Sequence, residues 1–321
     1  NSTVFKGDYI VYFPYDPDFA EIDYLPATTP TIFTQDYANP NKMAHLGGKT
    51  FGYGHAQILE GGSMAESFTT ENLSSFIDLK ITSKKTGVKL SKIILVDEAA
   101  DAKGFIKEVG LDASKIAADA KGTALYVDGT QEYEPTIVLN ITDKESSSTV
   151  AYTTLSSTAK EFTVATLPTT VGTLVAYLMD EDGMCLRKQV TTNWTMTPGA
   201  VKVFNIEVGT NDKFDQRLAV DTKTLIESIS AAGAGSAAAT VRTLGNITLD
   251  KNVEITLYKK GTSGLDVNKT GVLDVDASNA LFGLKKATSV YVAQNVTVTG
   301  TGTITVPADV ALTFKAVDKK T

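Results

Sequence analysis

The sequence predicts an all-β protein made of two successive β domains, and three observations carry this prediction. Up to about residue 209, short runs rich in β-branched and aromatic residues recur roughly every ten residues, with turn residues between them. No helical patterns alternate with these runs, which favours an antiparallel β-sandwich. Beyond Lys213 the runs shorten to triplets that mostly lie about seven or eight residues apart. We therefore predict a sandwich domain over residues 1–212 and a second β domain over residues 213–321.

The composition is that of a folded protein and argues against several classes of function. The chain of 321 residues has a formal net charge of −7 and no basic stripe that would bind nucleic-acid phosphates. No apolar run approaches the ~18 residues that a membrane-spanning helix needs. Cys185 is the single cysteine, so no intramolecular disulfide forms. The chain opens at Asn1 rather than Met, and we expect a mature or trimmed form from which a targeting segment has been removed.

The most apolar strand candidate lies near the start of the chain, at Gly7–Pro17. Its aromatic and β-branched residues favour a half-buried pleated surface, and Pro14 must end the strand or lie at a sheet edge. We expect Ser75–Val96 and Gly172–Val208 to supply its partner strands. The segment Asp18–Gly62 has no clear period, and we expect aromatic side chains to pin it to the sandwich as an irregular stretch.

The remainder of the first domain reads as a series of strands with one interruption. Ser75–Ser83 alternates apolar and polar residues, and with Lys92–Val96 it is predicted to form a hairpin. Residues 97–122 are rich in Ala and charge, and a short helix is expected from Asp112 to Gly122. The further predicted strands are Ala124–Val127, Thr136–Thr142, Val150–Thr154, Glu161–Ala165, Gly172–Met179, Met184–Thr191 and Val201–Val208.

The second domain begins after a polar stretch at residues 209–213 with a predicted helix. Leu225, Ile226 and Ile229 share one helical face, and Thr224 and Glu227 have the spacing of a capping box. The β triplets that follow indicate a short parallel β-helix, whose first rung the helix would cap. A second β-sandwich would give a similar spacing and remains the alternative. The predicted triplets are Asn246–Leu249, Val253–Leu257, Leu265–Val267, Val272–Val275, Val290–Val292, Val296–Val298, Ile304–Val306 and Ala311–Phe314.

No motif in the sequence concentrates reactive groups. His45 and His55 are the two histidines, and neither has a Cys or carboxylate at helical spacing for a metal. Cys185 has the setting of a buried structural thiol. Asp180–Gly183 lacks the spacing of a calcium loop and fits a hairpin turn better, and Gly47–Thr50 lacks the first glycine of a phosphate loop. We assign no catalytic, cofactor-binding or metal-binding residue.

Several landmarks of the first domain resemble the fimbrillin family of Bacteroidales fimbrial and adhesin subunits. Gly7–Tyr15 resembles the Tyr-Tyr-Pro-Tyr strand of that family, and Phe68–Leu79 resembles a later apolar strand. Lys92–Leu95 is similar to the returning strand of the family. Phe162–Pro168 with Leu174–Gly183, and Pro198-Gly199 with Val201–Val208, resemble the end of its domain. The landmarks cover about residues 1–209.

The resemblance implies a fold, a location and a mode of assembly. Fimbrillins are transthyretin-like β-sandwich proteins, exported as lipoproteins, trimmed near the N-terminus, and displayed on the outer surface as part of a fimbria or pilus. They polymerise by donor-strand exchange, which is a form of β-augmentation. The expected partners are other fimbrial subunits or surface ligands, with glycans among them, and a lipid anchor is expected on the precursor. The sequence lacks the usual opening strands, and residues 213–321 differ from a fimbrillin sandwich, which favours an accessory, tip or anchored adhesin over a shaft subunit.

Three function classes follow from these observations. The first is a non-enzymatic adhesion or fimbrial protein of the outer membrane surface that binds through β-strand complementation. The alternative is a carbohydrate-binding surface module, which would use rings such as Tyr24, Tyr53 or the single tryptophan, Trp194. A polysaccharide lyase or hydrolase is disfavoured, since no basic–acidic cluster stands out in the sequence.

Overall fold

A computed structural model of the chain describes residues 5–14, 24–60, 70–118, 120–145, 148–234, 239–258, 288–292, 296–300 and 303–317. The fold is all-β, as predicted, with several sheets and two short α-helices in the described part. The chain divides into two compact units, residues 1–182 with 187–212 and residues 183–186 with 213–321.

The elements before residue 209 are mostly strands. The described part contains one α-helix here, α1 (Ala113–Ala117), and two 3-10 turns, at Ala44–Leu46 and Gly122–Leu125. The strands are β1 (Gly7–Phe13), β2 (Leu25–Thr28), β3 (Ile32–Asp36), β4 (Gly52–Ile58), β5 (Glu71–Asn72), β6 (Ser75–Ser83), β7 (Lys89–Asp97), β8 (Phe105–Leu111), β9 (Glu132–Glu134), β10 (Thr136–Glu145), β11 (Ser148–Val150), β12 (Thr153–Thr154), β13 (Lys160–Thr166), β14 (Thr170–Asp180), β15 (Cys185–Thr195) and β16 (Val201–Val208).

The larger sheet of the first unit is built around β7. β14 lies antiparallel along one side of β7, and β10 lies antiparallel along the other, followed by β12. β15 continues the sheet beyond β14, and β3 lies parallel to β10 at the opposite margin. β7 buries four consecutive apolar residues, from Ile93 to Val96, so both faces of this central strand are covered.

A second sheet has β6 at its centre. β13 pairs with β6 antiparallel, and β16 pairs with it parallel. The apolar face expected for Ser75–Ser83 is confirmed, because Ile77, Leu79 and Ile81 are almost fully buried. The opposite face is partly covered as well, since Asp78 is 8% exposed. The predicted hairpin of Ser75–Ser83 with Lys92–Val96 is wrong. These consecutive strands lie in different sheets, since each already has two other neighbours, and strand periodicity identifies a face but not a pairing partner.

Side chains join the two sheets at both margins. Gln35 on β3 is fully buried, and its Nε2 donates to the carbonyl of Glu161 at 2.9 Å while its Oε1 accepts from the amide of Thr163 at 3.2 Å. Both of these groups belong to the outer edge of β13, so one amide side chain takes the place of a further strand there. At the other margin Trp194 on β15 meets Phe204 on β16 edge to face, with ring centroids 5.2 Å apart.

The predicted partners of the first strand are wrong. β1 does not pair with Ser75–Val96 or Gly172–Val208 but runs antiparallel to β4 along all its residues, from Gly7 opposite Ile58 to Phe13 opposite Gly52. β4 lies inside the segment predicted to be irregular, as do β2 and β3. The reason is packing: a Cβ on Gly52 would lie 1.9 Å from the ring of Phe13, so the glycine makes room for the aromatic side chain.

Two small sheets enclose a second core of the first unit. One has the order β1-β4-β5, and the other has the order β2-β8-β9. Phe51, Leu73, Ile106, Leu111 and Leu125 are among the buried residues between them. β8 was not predicted, because its residues belong to the stretch read as an Ala- and charge-rich interruption.

The helix of that interruption is present but shorter than expected. Asp112 caps α1 by accepting hydrogen bonds from the amides of Ser114 and Lys115, as its position in the sequence indicated. The helix ends at Ala117 rather than at Gly122. Gly122 instead opens a 3-10 turn with φ +62°, and this turn replaces the strand predicted at Ala124–Val127.

Between described residues 216 and 317, the second unit has one helix, and each of its strand pairs is parallel. Its elements are β17 (Gln216–Ala219), α2 (Thr222–Ala234), β18 (Ala239–Thr243), β19 (Ile247–Thr248), β20 (Val253–Tyr258), β21 (Thr288–Val292), β22 (Val296–Gly300), β23 (Ile304–Thr305) and β24 (Leu312–Val317). The three groups of paired strands are β17-β18-β22, β19-β23 and β21-β20-β24. The order β18-β19-β20 is thus repeated by β22-β23-β24, one strand on the next, which is the pattern of a short β-helix rather than of a second sandwich. The predicted triplets Leu265–Val267 and Val272–Val275 lie outside the described residues.

The helix of this unit covers the apolar interior, as its pattern predicted. Leu225, Ile226 and Ile229 are buried in one cluster with Val241 and Ile255. The predicted capping box of Thr224 with Glu227 is wrong by one turn. Asp221 accepts from the amide of Thr224 at 2.7 Å, and the Thr224 hydroxyl accepts from the amide of Asp221 at 3.1 Å, so these two residues form the reciprocal cap.

Candidate functional site

The free edge of β1 is the first feature of the candidate site. β1 is the outer strand of the sheet β1-β4-β5, and no strand among the described residues pairs with its second edge. One row of backbone N–H and C=O groups therefore faces away from the sheet. Such an edge is a template for a further strand.

The side chains of β1 divide between its two faces. Ile10 and Tyr12 pack against the core that contains Tyr53 and Leu111. On the opposite face, Tyr9 and Phe13 are 37% and 40% exposed. An edge strand with apolar groups on both faces offers a partner side-chain contacts as well as backbone hydrogen bonds.

The described part of β1 carries a single charge, at Asp8. The Asp8 carboxylate accepts a hydrogen bond from Gln57 on β4 at 3.2 Å. The Nε2 atom of His55 lies 3.3 Å from the same oxygen, at ion-pair distance but without hydrogen-bond geometry. The charge of Asp8 is thus directed toward β4, and the free edge itself is predominantly apolar.

A pocket of about 320 Å³ lies beside β4. Its walls come from β4, from β5 and from α1 with the residues that follow this helix. The lining residues are Tyr53, Gly54, His55, Glu71, Ile116, Ala120 and Lys121.

Charged and aromatic groups define the chemistry of this pocket. Lys121 and Glu71 form an ion pair at 2.6 Å, and both side chains are substantially exposed. Tyr53 is 4% exposed, its hydroxyl contacts the backbone of Gly122, and burial raises the pKa of this phenol. Sequence reasoning missed Glu71 and Lys121, because these residues are 50 positions apart and belong to no motif.

Two other strand edges of the first unit, those of β13 and β16, are less open. The outer edge of β13 is bonded by Gln35, and His45 donates from Nε2 to the carbonyl of Thr163 at 2.7 Å. β16 exposes Val201 and Val203, but it also carries Lys202 and Glu207. Charged residues on an edge strand oppose the addition of another strand.

The two histidines, His45 and His55, lie in different environments. His45 packs edge to face against Phe33, with centroids 6.3 Å apart, and burial lowers the pKa of its imidazole. It is a structural residue at the margin of β13. His55 lies in the wall of the pocket. Within the part of the chain that the structure describes, no group of three or more His, Cys, Asp or Glu side chains is placed to hold a metal ion.

The remaining motifs of the sequence are structural. Cys185 is fully buried and belongs to no disulfide. Asp180–Gly183 forms the turn between β14 and β15, with Gly183 at φ +75° and Glu181 paired to Lys89 at 3.0 Å. Gly47–Thr50 follows a 3-10 turn and precedes β4, so the strand–helix frame of a phosphate loop is missing there.

The rings considered for sugar stacking are occupied by contacts within the fold. The ring of Tyr24 lies 2.5 Å from where a Cβ on Gly110 would be. Tyr53 belongs to the buried core, and Trp194 contacts Phe204. Of the three, Tyr53 is buried, and Tyr24 and Trp194 are half-buried.

Comparisons with known proteins give distant structural similarities. The crystal structure of a "putative cell adhesion protein" from Bacteroides ovatus has a TM-score of 0.39 and 13% identity, over 65% of this chain and 66% of that chain. A structure with the same description from Bacteroides uniformis has a TM-score of 0.37 and 10% identity, over 64% of this chain and 68% of that chain. The chain thus spans just under two thirds of the first relative. No protein-family model and no curated protein matches the sequence.

Within the described residues, no helix is long and apolar enough to cross a membrane.

Proposed function

We propose that the protein is a non-enzymatic adhesion or fimbrial protein of a bacterial cell surface, and that it binds a β-strand of its partner along the free edge of β1. The partner is a fimbrial subunit or another surface ligand. The proposal places the protein outside the cell, at the outer membrane or in a fimbrium, as an accessory, tip or anchored component with a lipid anchor on its precursor. Residues 1–212 would act as the strand-accepting domain and residues 213–321 as a separate domain.

The observation that carries this proposal is the unpaired edge of β1. Its seven residues are paired with β4 on one side only within the described chain, and Tyr9 and Phe13 are exposed beside it. In β-augmentation the backbone hydrogen bonds supply affinity, and pockets for alternate side chains set the register. The low structural similarities described above do not add to this argument.

The test is a thermal shift of the full chain with synthetic strand peptides. The panel contains alternating apolar and polar sequences and a peptide that copies β1. A peptide that binds only the folded protein adds RT ln(1 + [L]/Kd) to the free energy of unfolding and so raises the melting temperature. The added free energy is about 2.7 kcal/mol at a hundredfold excess over Kd. If no peptide in the panel shifts the melting temperature, the strand-accepting role is wrong.

A pair of edge variants identifies the strand that accepts the peptide. Tyr9→Lys places a charge on β1 at an exposed position, and we expect it to abolish the shift while leaving the protein folded. Val203→Lys makes the same kind of change on β16, where Val203 is 42% exposed, and we expect it to leave the shift intact. Loss of the shift in Val203→Lys alone would assign the binding edge to β16 and contradict the proposal.

A further inference from the structure

We propose that the pocket beside β4 binds one neutral sugar ring, at the end or branch of a surface glycan. The volume of about 320 Å³ lies at the lower end of the range of small-molecule sites, which is roughly 300–1,000 Å³. A pocket of this size suits a single ring with its substituents rather than an extended chain. Of the aromatic rings that the sequence suggested for sugar stacking, Tyr53 belongs to the lining of this pocket, whereas Tyr24 and Trp194 do not.

The charges of the pocket select a neutral ligand. Lys121 is compensated by Glu71 at 2.6 Å, and Asp8 adds a further carboxylate beside His55. An anionic ligand would therefore meet two carboxylates and one ammonium group, which is more negative than positive charge. A cationic ligand would have to compete with Lys121 for Glu71.

Sugar hydroxyls suit an ion pair of this kind, because each hydroxyl both donates and accepts. One hydroxyl can donate to the Glu71 carboxylate while its neighbour accepts from the Lys121 ammonium. Hydrogen bonds to charged groups are about twice as strong as those between neutral groups. The exposure of both side chains, 46% for Glu71 and 67% for Lys121, leaves them accessible to such a ligand.

The other walls complete a surface with one polar and one apolar side. Ile116 and Ala120 contribute aliphatic groups, against which the C–H face of a pyranose can pack. His55 contributes an imidazole whose Nε2 makes no hydrogen bond among the described residues. Ligand sites commonly combine an apolar lining with a few convergent polar groups.

The position of the pocket separates this proposal from strand binding. β4 lies between β1 and β5 in the sheet, so the free edge of β1 and the wall formed by Glu71 are on opposite sides of β4. Variants at Glu71 and Lys121 leave every residue of β1 unchanged, so the two proposals can be tested separately. Failure of one proposal does not decide the other.

The experiment is a titration of the full chain with monosaccharides, followed by saturation-transfer-difference NMR. The probes are the methyl glycosides of glucose, galactose, mannose and N-acetylglucosamine, with N-acetylneuraminic acid as the anionic comparison. We expect saturable binding of at least one neutral sugar and weaker or no binding of the acid. No saturable binding by any neutral probe, or a preference for the acid, would overturn the proposal.

Matched variants test whether the binding takes place in this pocket. Lys121→Met and Glu71→Gln each remove one charge-assisted hydrogen bond, and we expect each to weaken binding about tenfold or more. Lys84→Met is the control, because Lys84 and Glu207 form an ion pair at 2.8 Å with similar exposure elsewhere on the first unit. Circular dichroism verifies that the variants are folded. Equal affinity in the wild-type protein and in both pocket variants would exclude this site.

Discussion

Replacing Gln35 tests whether its side chain stabilises the sandwich by bonding the outer edge of β13 to β3. Its buried amide bonds two backbone groups on the edge of β13, the carbonyl of Glu161 and the amide of Thr163. Gln35→Leu keeps a side chain of similar size but removes both hydrogen bonds. The Glu161 carbonyl and the Thr163 amide then lose the hydrogen bonds that this side chain made to them.

The size of the effect follows from the burial of the two groups. The Thr163 amide is in a buried hydrogen bond, and leaving it unsatisfied costs about 1–3 kcal/mol. The Glu161 carbonyl is partly buried and can recover a hydrogen bond from water, so its loss costs about 1 kcal/mol. We expect a total of about 2–4 kcal/mol, which lowers the melting temperature of a domain of this size by roughly 5–15 °C.

Two measurements check this prediction. Urea unfolding followed by circular dichroism gives the loss of stability, and native-state hydrogen exchange reports the protection of the Thr163 amide itself. Gln57→Leu is the matched control, because Gln57 makes its hydrogen bond to Asp8 on the surface, and its loss is expected to cost less than about 0.5 kcal/mol. The reasoning is refuted if Gln35→Leu costs no more than this control, or if the Thr163 amide keeps its full protection.

Three further predictions concern the first unit. Glu98→Gln removes a carboxylate that is 5% exposed and accepts two hydrogen bonds from Arg187, at 2.6 and 3.0 Å. We expect the free energy of unfolding, measured in urea, to fall by about 2–4 kcal/mol. A decrease no larger than that for an exposed surface ion pair would contradict this prediction. Burial raises the pKa of Asp78 above its ordinary 3.8, so the folded protein holds this proton more tightly than the unfolded chain does. The stabilisation from this proton is complete below the ordinary pKa and is lost as the pH rises through the raised pKa. Asp78→Asn should therefore raise the melting temperature more at about pH 7 than at about pH 4, and equal shifts at both pH values would be inconsistent with this linkage. Gly104→Ala puts a Cβ 2.2 Å from the carbonyl oxygen of Glu134 and should destabilise by more than Gly129→Ala, where φ is also positive, at +80°, but the space is open and about 1–2 kcal/mol is expected.

Local chemistry made part of the fold predictable from the sequence. Asp182-Gly183 marked the turn between β14 and β15, because the glycine supplies the positive φ that this turn requires. The inward face of β6 followed from the alternation of Ile77, Leu79 and Ile81. These features depend on residues that are neighbours in the chain.

Pairing across long sequence separations was not predictable. β4 reads as a loop because Gly52 and Gly54 have low strand propensity, yet the ring of Phe13 fills the space above Gly52 and holds the strand in place. In the same way, β6 and β7 were assigned to each other because they are consecutive, although each has its partners elsewhere.

The two candidate sites could not be predicted from the sequence for a related reason. A free edge is defined by the strands that are not beside it, and the pairing of β1 with β4 had to be known first. The pocket depends on Glu71 and Lys121, which only the fold brings to 2.6 Å. Neither residue belongs to a motif that could have singled it out.

The contact of Trp194 with Phe204 has a spectroscopic consequence. Trp194 is the single tryptophan of the chain, so fluorescence after selective excitation of tryptophan reports on one margin of the sandwich, between β15 and β16. The second unit contributes no tryptophan to this signal. Tryptophan fluorescence would therefore follow the first unit alone, whereas circular dichroism follows the strands of both units. Non-coincident unfolding curves would show that the sandwich and the β-helix melt as separate cooperative units.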